Sequence, residues 1–194
     1  MRVDSASFTA STDSPDYFPQ HSMPEVAFAG RSNVGKSSLI NCIVNRRGLA
    51  RASSTPGRTR SINFYNVNDE ITLVDLPGYG YSKAPKSVQA RLVPLVETYL
   101  LSGRPVLVVS IVDCRRRPEA SDLELWQWLS QHDTPFVVVA TKVDKISRSK
   151  QGQAVRQIAE SFEKLETSEV ITFSSQTGVG KKQLWARIEA AIAD

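Results

Sequence analysis

Cysteine is scarce in this chain of 194 residues, in which Cys42 and Cys114 are the only two. Neither has a spacing to other metal-ligating residues that would hold a metal ion. The scarcity excludes a scaffold held together by disulfides, and both cysteines are predicted to be free thiols in a reducing compartment. A chain of this length buries enough surface to form a core without disulfides or a structural metal.

Long apolar runs are also absent. No stretch approaches the ~20 apolar residues that cross a bilayer, and the first 25 residues lack the apolar core of a secretion signal. We therefore expect a cytoplasmic protein with no membrane association. The ordinary content of glycine and proline (10 each) excludes collagen-like and disordered classes. The net charge of +4 mildly favours an anionic partner.

Strand and helix patterns alternate along the chain after residue 23. Residues 1–23 are polar and interrupted by proline, and we expect a loosely attached N-terminal arm followed by one domain over residues 24–194. The predicted strands are Val26–Ala29, Ile62–Val67, Ile71–Asp75, Val106–Asp113, Phe136–Thr141 and Val170–Phe173. The predicted helices are Lys36–Asn45, Ser87–Leu101, Glu119–Gln131, Arg148–Leu165 and Lys181–Ile192. This pattern predicts an α/β fold: a mostly parallel six-stranded sheet with one antiparallel edge strand and helices on both faces.

A phosphate-binding pattern, G-x-x-x-x-G-K-[ST], lies between the first predicted strand and helix. Backbone N–H groups and the helix N-terminus attract phosphate oxygens there. Lys36 would neutralise the β- and γ-phosphates, and the Ser37 hydroxyl would coordinate Mg²⁺. The alternative, a plain glycine-rich connector, does not require the strand–loop–helix context. The predicted nucleotide contacts of this loop are Gly30, Arg31, Ser32, Asn33, Val34, Gly35, Lys36 and Ser37.

Three further motifs follow later strands, where ligands of such sheets bind. Asp75 can hold Mg²⁺ through a water, and Gly78 can offer its N–H to the γ-phosphate. Asp144 can accept two hydrogen bonds from guanine, which adenine does not offer, while the Lys142 stem lies along the base. Taken singly, the three motifs also fit a turn, a surface ion pair and a serine-rich helix entry. The predicted contacts are Asp75, Leu76, Pro77 and Gly78; Thr141, Lys142, Val143 and Asp144; and Phe173, Ser174 and Ser175.

A loop rich in serine, glycine and proline, residues 53–61, precedes the strand Ile62–Val67 and is predicted to be a nucleotide-controlled switch. Either Thr55 or Thr59 could give Mg²⁺ its second hydroxyl ligand, and spacing alone does not choose between them. The predicted nucleotide contacts in this loop are Gly57, Arg58, Thr59, Arg60 and Ser61.

Together, GRSNVGKSSLIN, TPGRT, DLPGYGY, TKVD and FSS resemble GTPases of the Era/EngA type, and more closely the EngB family of bacterial ribosome-biogenesis GTPases. The resemblance runs from about residue 8 to the C-terminus and implies a Ras-like P-loop GTPase fold that binds GTP and GDP with Mg²⁺. It also implies a role in assembly of the large ribosomal subunit. It selects Thr59 as the magnesium ligand, so that Lys36, Thr59 and Gly78 would carry hydrolysis. Thr141 departs from the wider GTPase pattern, in which asparagine is commoner.

Two residues bear on the rate of hydrolysis. The attacking water of such enzymes is usually oriented by a glutamine after D-x-x-G, where this chain has Tyr79, so we expect slow turnover. Asn33 resembles an asparagine that helps to bind K⁺ in related GTPases. The alternative is that Asn33 only hydrogen-bonds within its loop. K⁺ is therefore expected as a cofactor only if Asn33 helps to bind it.

Cations are concentrated in three runs without acids. Residues 46–60 hold five arginines, residues 145–156 hold four cations, and residues 115–117 are all arginine. Solvated surface would explain part of this, but the run beside the predicted switch favours contacts with RNA phosphates. We expect a monomer that binds the ribosomal RNA and proteins of a large-subunit precursor. The alternatives are a regulatory GTPase with a protein effector and no RNA role, and, with less support, a small-molecule kinase.

Overall fold

The computed structural model describes residues 1–50, 61–79, 86–161 and 169–193. The strands are β1 Ala6–Thr12, β2 Glu25–Gly30, β3 Ile62–Val67, β4 Ile71–Asp75, β5 Pro105–Asp113, β6 Phe136–Thr141 and β7 Val170–Thr172. The helices are α1 Lys36–Ile43, α2 Lys86–Leu101, α3 Ala120–Gln131, α4 Arg148–Glu160 and α5 Lys181–Ala193. Short 3-10 turns lie at Pro15–Tyr17 and Val143–Lys145. All the predicted strands and helices are therefore present; α4 is described as far as Glu160, and residues 162–165 of its predicted range lie outside the described residues.

The strands form one sheet in the order β1-β3-β4-β2-β5-β6-β7. β4, β2, β5, β6 and β7 run parallel, whereas β3 is antiparallel to both of its neighbours, β4 and β1. The α/β class, the parallel centre and the single reversed strand are as predicted. The predicted count was one strand short, and the reversed strand lies next to the edge of the sheet rather than at it.

The seventh strand comes from the N-terminal segment, so the expectation of a loosely attached arm was wrong. β1 pairs with the whole length of β3, with a bulge between Phe8 and Ala10. The Asn68 side chain accepts hydrogen bonds from the backbone N–H groups of Asp4 and Ser5, at 2.9 and 3.0 Å. The segment A-S-F-T-A-S does alternate apolar and polar residues, but two of its three apolar residues are alanine, so the signal of this edge strand is weak and was missed.

Helices cover both faces of the sheet. Alternate residues of β2 face opposite ways: Val26 and Phe28 pack on the side of α1 and α5, whereas Ala27 and Ala29 pack on the side of α2, α3 and α4. In this two-sided arrangement the central strands are buried throughout, which explains why β5 and β6 are apolar at nearly every position. No helix in the described ranges is long and apolar enough to span a membrane.

Both cysteines are free thiols, as predicted. Cys42 is half-buried on α1, and Cys114 is buried just after β5. Burial is the main cause that raises the pKa of the Cys114 thiol to about 11, so that it stays protonated.

Candidate functional site

The loop between β2 and α1 has the backbone shape of a phosphate cradle. Asn33 and Gly35 adopt positive φ angles of 64° and 108°, which turn the chain sharply before the first helical residue, Lys36. A Cβ atom on Gly30 would lie 2.9 Å from the carbonyl oxygen of Ile111 on β5, closer than real contacts allow. Glycine is therefore required at residue 30 by the neighbouring strand and at residue 35 by the backbone angle. The fold places this loop beyond the carboxyl end of β2, where a parallel sheet binds its ligand.

Lys36 lies against the end of β4. Its ammonium group donates hydrogen bonds to the Asp75 carboxylate and to the Leu76 carbonyl oxygen, the latter at 2.7 Å. Asp75 is buried, and the lysine offsets the cost of burying its charge. Lys36, which was predicted to bind phosphate, is thus in direct contact with Asp75, which was predicted to bind Mg²⁺.

The segment after β4 lies against the phosphate loop. A Cβ atom on Gly78 would stand 3.0 Å from the Ser32 hydroxyl oxygen and 3.4 Å from the Gly30 carbonyl oxygen. Tyr79 forms an isolated parallel backbone bridge with Arg31. The structure therefore brings together the two motifs that were predicted to meet at the γ-phosphate.

The end of β6 braces the loop from its other side. The Lys142 ammonium donates to the Asn33 carbonyl oxygen at 2.5 Å and to the Asp113 carboxylate at 3.0 Å. The buried Thr141 hydroxyl lies 2.5 Å from the Val34 carbonyl oxygen and 2.9 Å from that of Val112. The Thr141 side chain consequently links the loop to β5. This side chain points into the protein.

Asp144 and Ser174 meet across the ends of β6 and β7. The Ser174 hydroxyl donates to Asp144 Oδ1 at 2.7 Å and accepts the N–H groups of Gln176 and Thr177, each at 3.2 Å. The hydrogen bond from Ser174 is the main cause that lowers the pKa of Asp144 below its ordinary value. The carboxylate is held ionised and oriented, as recognition of two guanine N–H groups requires.

Comparison with known proteins agrees with this geometry. The family model of 50S ribosome-binding GTPases matches residues 25–142, and that of the elongation factor Tu GTP-binding domain matches residues 105–194. A probable GTP-binding protein EngB of Geobacter metallireducens is 49% identical over 195 aligned residues, with 100% of this chain and 95% of that protein covered. The chain belongs to the EngB family of GTP-binding proteins.

Other relatives agree. The corresponding protein of an Exiguobacterium species is 42% identical, with 100% of this chain and 99% of that protein covered. A crystal structure of a probable GTP-binding protein EngB superposes with a TM-score of 0.69 at 26% identity, covering 87% of this chain and 98% of that one. The structure of Era in complex with MgGDPNP and 16S ribosomal RNA nucleotides has a TM-score of 0.65 at 23% identity, over 86% of this chain and 55% of that one. That last likeness shows the Ras-like fold. This EngB-family chain is accordingly a GTPase that binds GTP and GDP.

Some of the residues predicted to contact the nucleotide in this EngB-family site have side chains that face the core. Leu76, Val143 and Phe173 are buried, as is the side chain of Val34, so these residues offer the site only their backbone groups. Ser61 lies at the start of β3, where its hydroxyl accepts a hydrogen bond from Ser11 at 2.7 Å. Gly57, Arg58, Thr59 and Arg60, and the alternative magnesium ligand Thr55, lie outside the described residues.

Two carboxylates were missed by sequence reasoning. Asp113, at the end of β5, accepts from both Lys142 and Arg115. Burial alone would raise the pKa of Asp113, but these hydrogen bonds hold it at about 2. Glu119, at the start of α3, forms an ion pair with Arg31 of the phosphate loop. The position of Asp113 at a strand end was an available signal, whereas nothing in the sequence pairs Arg31 with Glu119.

Proposed function

We propose that this EngB-family GTPase is a nucleotide-controlled switch required for assembly of the large ribosomal subunit. The observation that carries the proposal is the match to the 50S ribosome-binding GTPase family over residues 25–142, which include the phosphate loop and the ends of β4, β5 and β6. The relatives that match over the full length are GTP-binding proteins of the EngB family. The partner would be a large-subunit precursor in the cytoplasm, bound by a monomer.

Nucleotide binding would change the partner of Lys36 in the phosphate loop. When nucleotide enters, the ammonium would leave Asp75 for the β- and γ-phosphates, and the buried carboxylate would then need a new cation nearby. The hydroxyls of Ser37 and Thr59, with Asp75 reached through a water, would hold Mg²⁺ there, because such hard oxygen donors suit that ion. When bound, the ion supplies charge neutralisation for the phosphoryl group.

The remaining contacts follow from the geometry at the ends of β4, β6 and β7. Gly78 would donate its N–H to the γ-phosphate, and Asp144 would read guanine beside the Ser174 and Ser175 backbone. Asn33 is exposed in the loop and would help to hold K⁺ next to the phosphates. Slow hydrolysis is supported by Tyr79, whose hydroxyl is bonded to Asp122 on α3 and so does not orient a water as an amide would.

Exposed cations support RNA as part of the partner. No carboxylate in the described residues pairs with Arg116 and Arg117 after β5, or with Arg148 and Lys150 at the start of α4. Arg115 and Lys145, in contrast, pair with Asp113 and Asp144. Since β5 and β6 are neighbours, these two groups of exposed cations lie near the same edge of the sheet, where phosphates of RNA can bind them.

Sedimentation of the protein with large-subunit particles, in GDP and in a non-hydrolysable GTP analogue, tests the proposal. We expect binding in the analogue and weaker binding in GDP, with Lys36→Ala abolishing the response to nucleotide. A double variant of exposed arginines outside the basic runs, Arg2→Ala/Arg91→Ala, is the control and should bind like the wild type. Absence of binding to particles in either nucleotide would contradict the proposal and favour a protein effector.

A further inference from the structure

Tyr79 places a phenol hydroxyl inside the protein directly behind the phosphate loop. The residue immediately follows Gly78, and its hydroxyl donates to Asp122 Oδ1 on α3 at 3.0 Å. The Ser110 side chain of β5 lies near enough to the hydroxyl to influence its pKa. Burial is the main cause that raises the pKa of Tyr79 well above its ordinary value, so the phenol remains a hydrogen-bond donor throughout the working pH range.

The carboxylate that accepts this hydroxyl is held by a further hydrogen bond, and α3 is in turn bonded to β5. Asp122 is buried, and its second carboxylate oxygen accepts the Glu119 backbone N–H at 2.8 Å, which caps α3. Ser110 is fully buried and accepts the indole N–H of Trp126 at 2.7 Å. Ser110 pairs with Ala29 of β2, the residue before the phosphate loop. Tyr79 is therefore bonded to α3, and Trp126 of α3 is bonded to β5 beside the strand that leads into the phosphate loop.

This attachment limits where Gly78 can lie. On one side the Arg31–Tyr79 backbone bridge joins the segment to the phosphate loop, and on the other the phenol of the next residue is bonded to Asp122 of α3. The Gly78 Cα already faces Ser32 so closely that a Cβ atom would stand 3.0 Å from the hydroxyl oxygen. A small rotation about residues 78 and 79 would move the Gly78 N–H away from the position of a γ-phosphate. Errors of that size are costly for phosphoryl transfer, which depends on positioning.

We propose that Tyr79 is a positioning residue for GTP hydrolysis: its buried hydrogen bond to Asp122 fixes the Gly78 N–H against the phosphate loop and so makes α3 part of the catalytic support. Tyr79 stands where related GTPases usually have a glutamine, but its role differs, because it orients the backbone of Gly78 and not the attacking water. The inference rests on the proposed γ-phosphate contact of Gly78 and is independent of the ribosomal role.

Four variants of the full chain test the inference, with single-turnover hydrolysis, affinity for GDP and for a non-hydrolysable GTP analogue, and thermal stability as readouts. Tyr79→Phe and Asp122→Ala break the bond. Asp122→Asn can still accept the Glu119 N–H through its oxygen and donate its amide to the Tyr79 oxygen. Tyr99→Phe is the matched control, because that buried hydroxyl donates to a carboxylate, Glu25, at 2.8 Å, at the opposite end of β2.

We expect Tyr79→Phe and Asp122→Ala to lower the hydrolysis rate about tenfold and to weaken analogue binding, with GDP affinity within about twofold of the wild type. Asp122→Asn should recover most of the rate that Asp122→Ala loses, and Tyr99→Phe should lower stability while the rate stays unchanged. If Tyr79→Phe lowers stability as Tyr99→Phe does but hydrolyses GTP at the wild-type rate, the bond is only structural and the inference is wrong.

A fifth variant separates the inference from its premise. Gly78→Ala puts a methyl group against Ser32 and should weaken analogue binding without affecting GDP. Unchanged analogue affinity in Gly78→Ala would refute the γ-phosphate contact and the inference with it. Weakened affinity in Gly78→Ala together with a normal Tyr79→Phe would leave the contact standing and refute the role of Tyr79 alone.

Discussion

Asp144 is the residue on which the proposed selectivity for guanine depends. A carboxylate that reads two N–H groups must be ionised and pointed, and the Ser174 hydroxyl provides both by donating to Oδ1 at 2.7 Å. The Ser174 hydroxyl in turn accepts two backbone N–H groups, so the turn after β7 determines the orientation of Asp144. The proposed selectivity for guanine would therefore depend on two strand ends that are 30 residues apart in sequence.

We predict that Asp144→Asn weakens GTP binding by about 100-fold, because an amide cannot accept both guanine hydrogen bonds and leaves a donor unpaired. The same variant should bind xanthosine triphosphate better than the wild type, since that base offers a carbonyl where guanine has an amine. Fluorescence titration with both nucleotides measures this, with Asp133→Asn at an exposed position as the control. Unchanged GTP affinity in Asp144→Asn would show that guanine is read elsewhere.

Asn33 is the residue on which the proposed K⁺ site depends. It combines a positive φ of 64° with a carbonyl fixed by Lys142, so its side chain starts from a defined position at the loop surface. We predict hydrolysis about tenfold faster in K⁺ than in Na⁺ at equal ionic strength, because a fixed cation stabilises charge developing on the phosphates.

The predicted K⁺ effect should disappear in Asn33→Ala. Asn45→Ala is the control, since Asn45 has a similar φ of 53° beyond the end of α1. Equal rates of the wild type in the two salts would contradict a K⁺ site and leave Asn33 as a loop-forming residue.

Among the strands and helices, the N-terminal segment is held to the sheet at two points. β1 pairs with β3, and the chain before β2 is fixed by a buried network around Glu25. The Glu25 carboxylate accepts from Tyr99 at 2.8 Å and from two nitrogens of Arg104 at 3.1 and 2.5 Å, while Arg104 also donates to the Pro19 carbonyl oxygen at 2.6 Å. Breaking a buried network of this kind is costly, so it attaches the segment firmly to the domain. An ion pair at the surface contributes little and would not do so.

We predict that Glu25→Ala lowers the free energy of unfolding by about 3 kcal/mol, because it leaves Arg104 and the Tyr99 hydroxyl without their partner in a buried setting. GDP affinity should be unchanged, since Glu25 begins β2 and the phosphate loop follows its other end. Denaturant unfolding measures the loss. The control, Asp13→Ala, breaks an exposed ion pair with Arg91 and should cost less than about 0.5 kcal/mol. Equal losses in the two variants would show that the network does not anchor the segment.

Across the protein as a whole, the site and the exposed cations share the carboxyl edge of the parallel strands. In the sequence, Arg58 and Arg60 flank Thr59 in the predicted switch, residues 53–61. If Thr59 is tethered by Mg²⁺ and the γ-phosphate, these arginines take one geometry in GTP and lose it in GDP. A tenfold difference in affinity between the two states needs only about 1.4 kcal/mol.

We predict that Arg58→Ala/Arg60→Ala reduces the slope of log affinity for large-subunit particles against log salt by about two units, roughly one for each RNA phosphate that the variant no longer neutralises. The measurement is binding across a salt series in GDP and in a GTP analogue, with Arg2→Ala/Arg91→Ala keeping the wild-type slope. A wild-type slope in the Arg58/Arg60 variant, with affinity independent of nucleotide, would refute the switch model and favour a protein effector.

Local patterns in the sequence were enough to predict the parallel centre of the sheet, the helices and the positions of four of the nucleotide motifs. A strand covered on both faces must be apolar at nearly every residue, and a phosphate loop must keep its glycines and lysine at fixed spacing. The end of β4 at Asp75 and of β6 at Thr141 could be predicted for the same reason.

Three features were settled by tertiary packing: Ala6–Thr12 is a strand, Thr141 faces the phosphate loop, and Tyr79 bonds to Asp122. The alternation of apolar and polar residues in Ala6–Thr12 is weak, because most of its apolar residues are alanine, and this edge strand is stabilised by pairing with β3 rather than by burial. Tyr79 and Asp122 are 43 residues apart, and which buried hydroxyl meets which carboxylate depends on how α3 packs on β5. Long-range pairs of this kind have no local pattern, so they form only when the elements pack together.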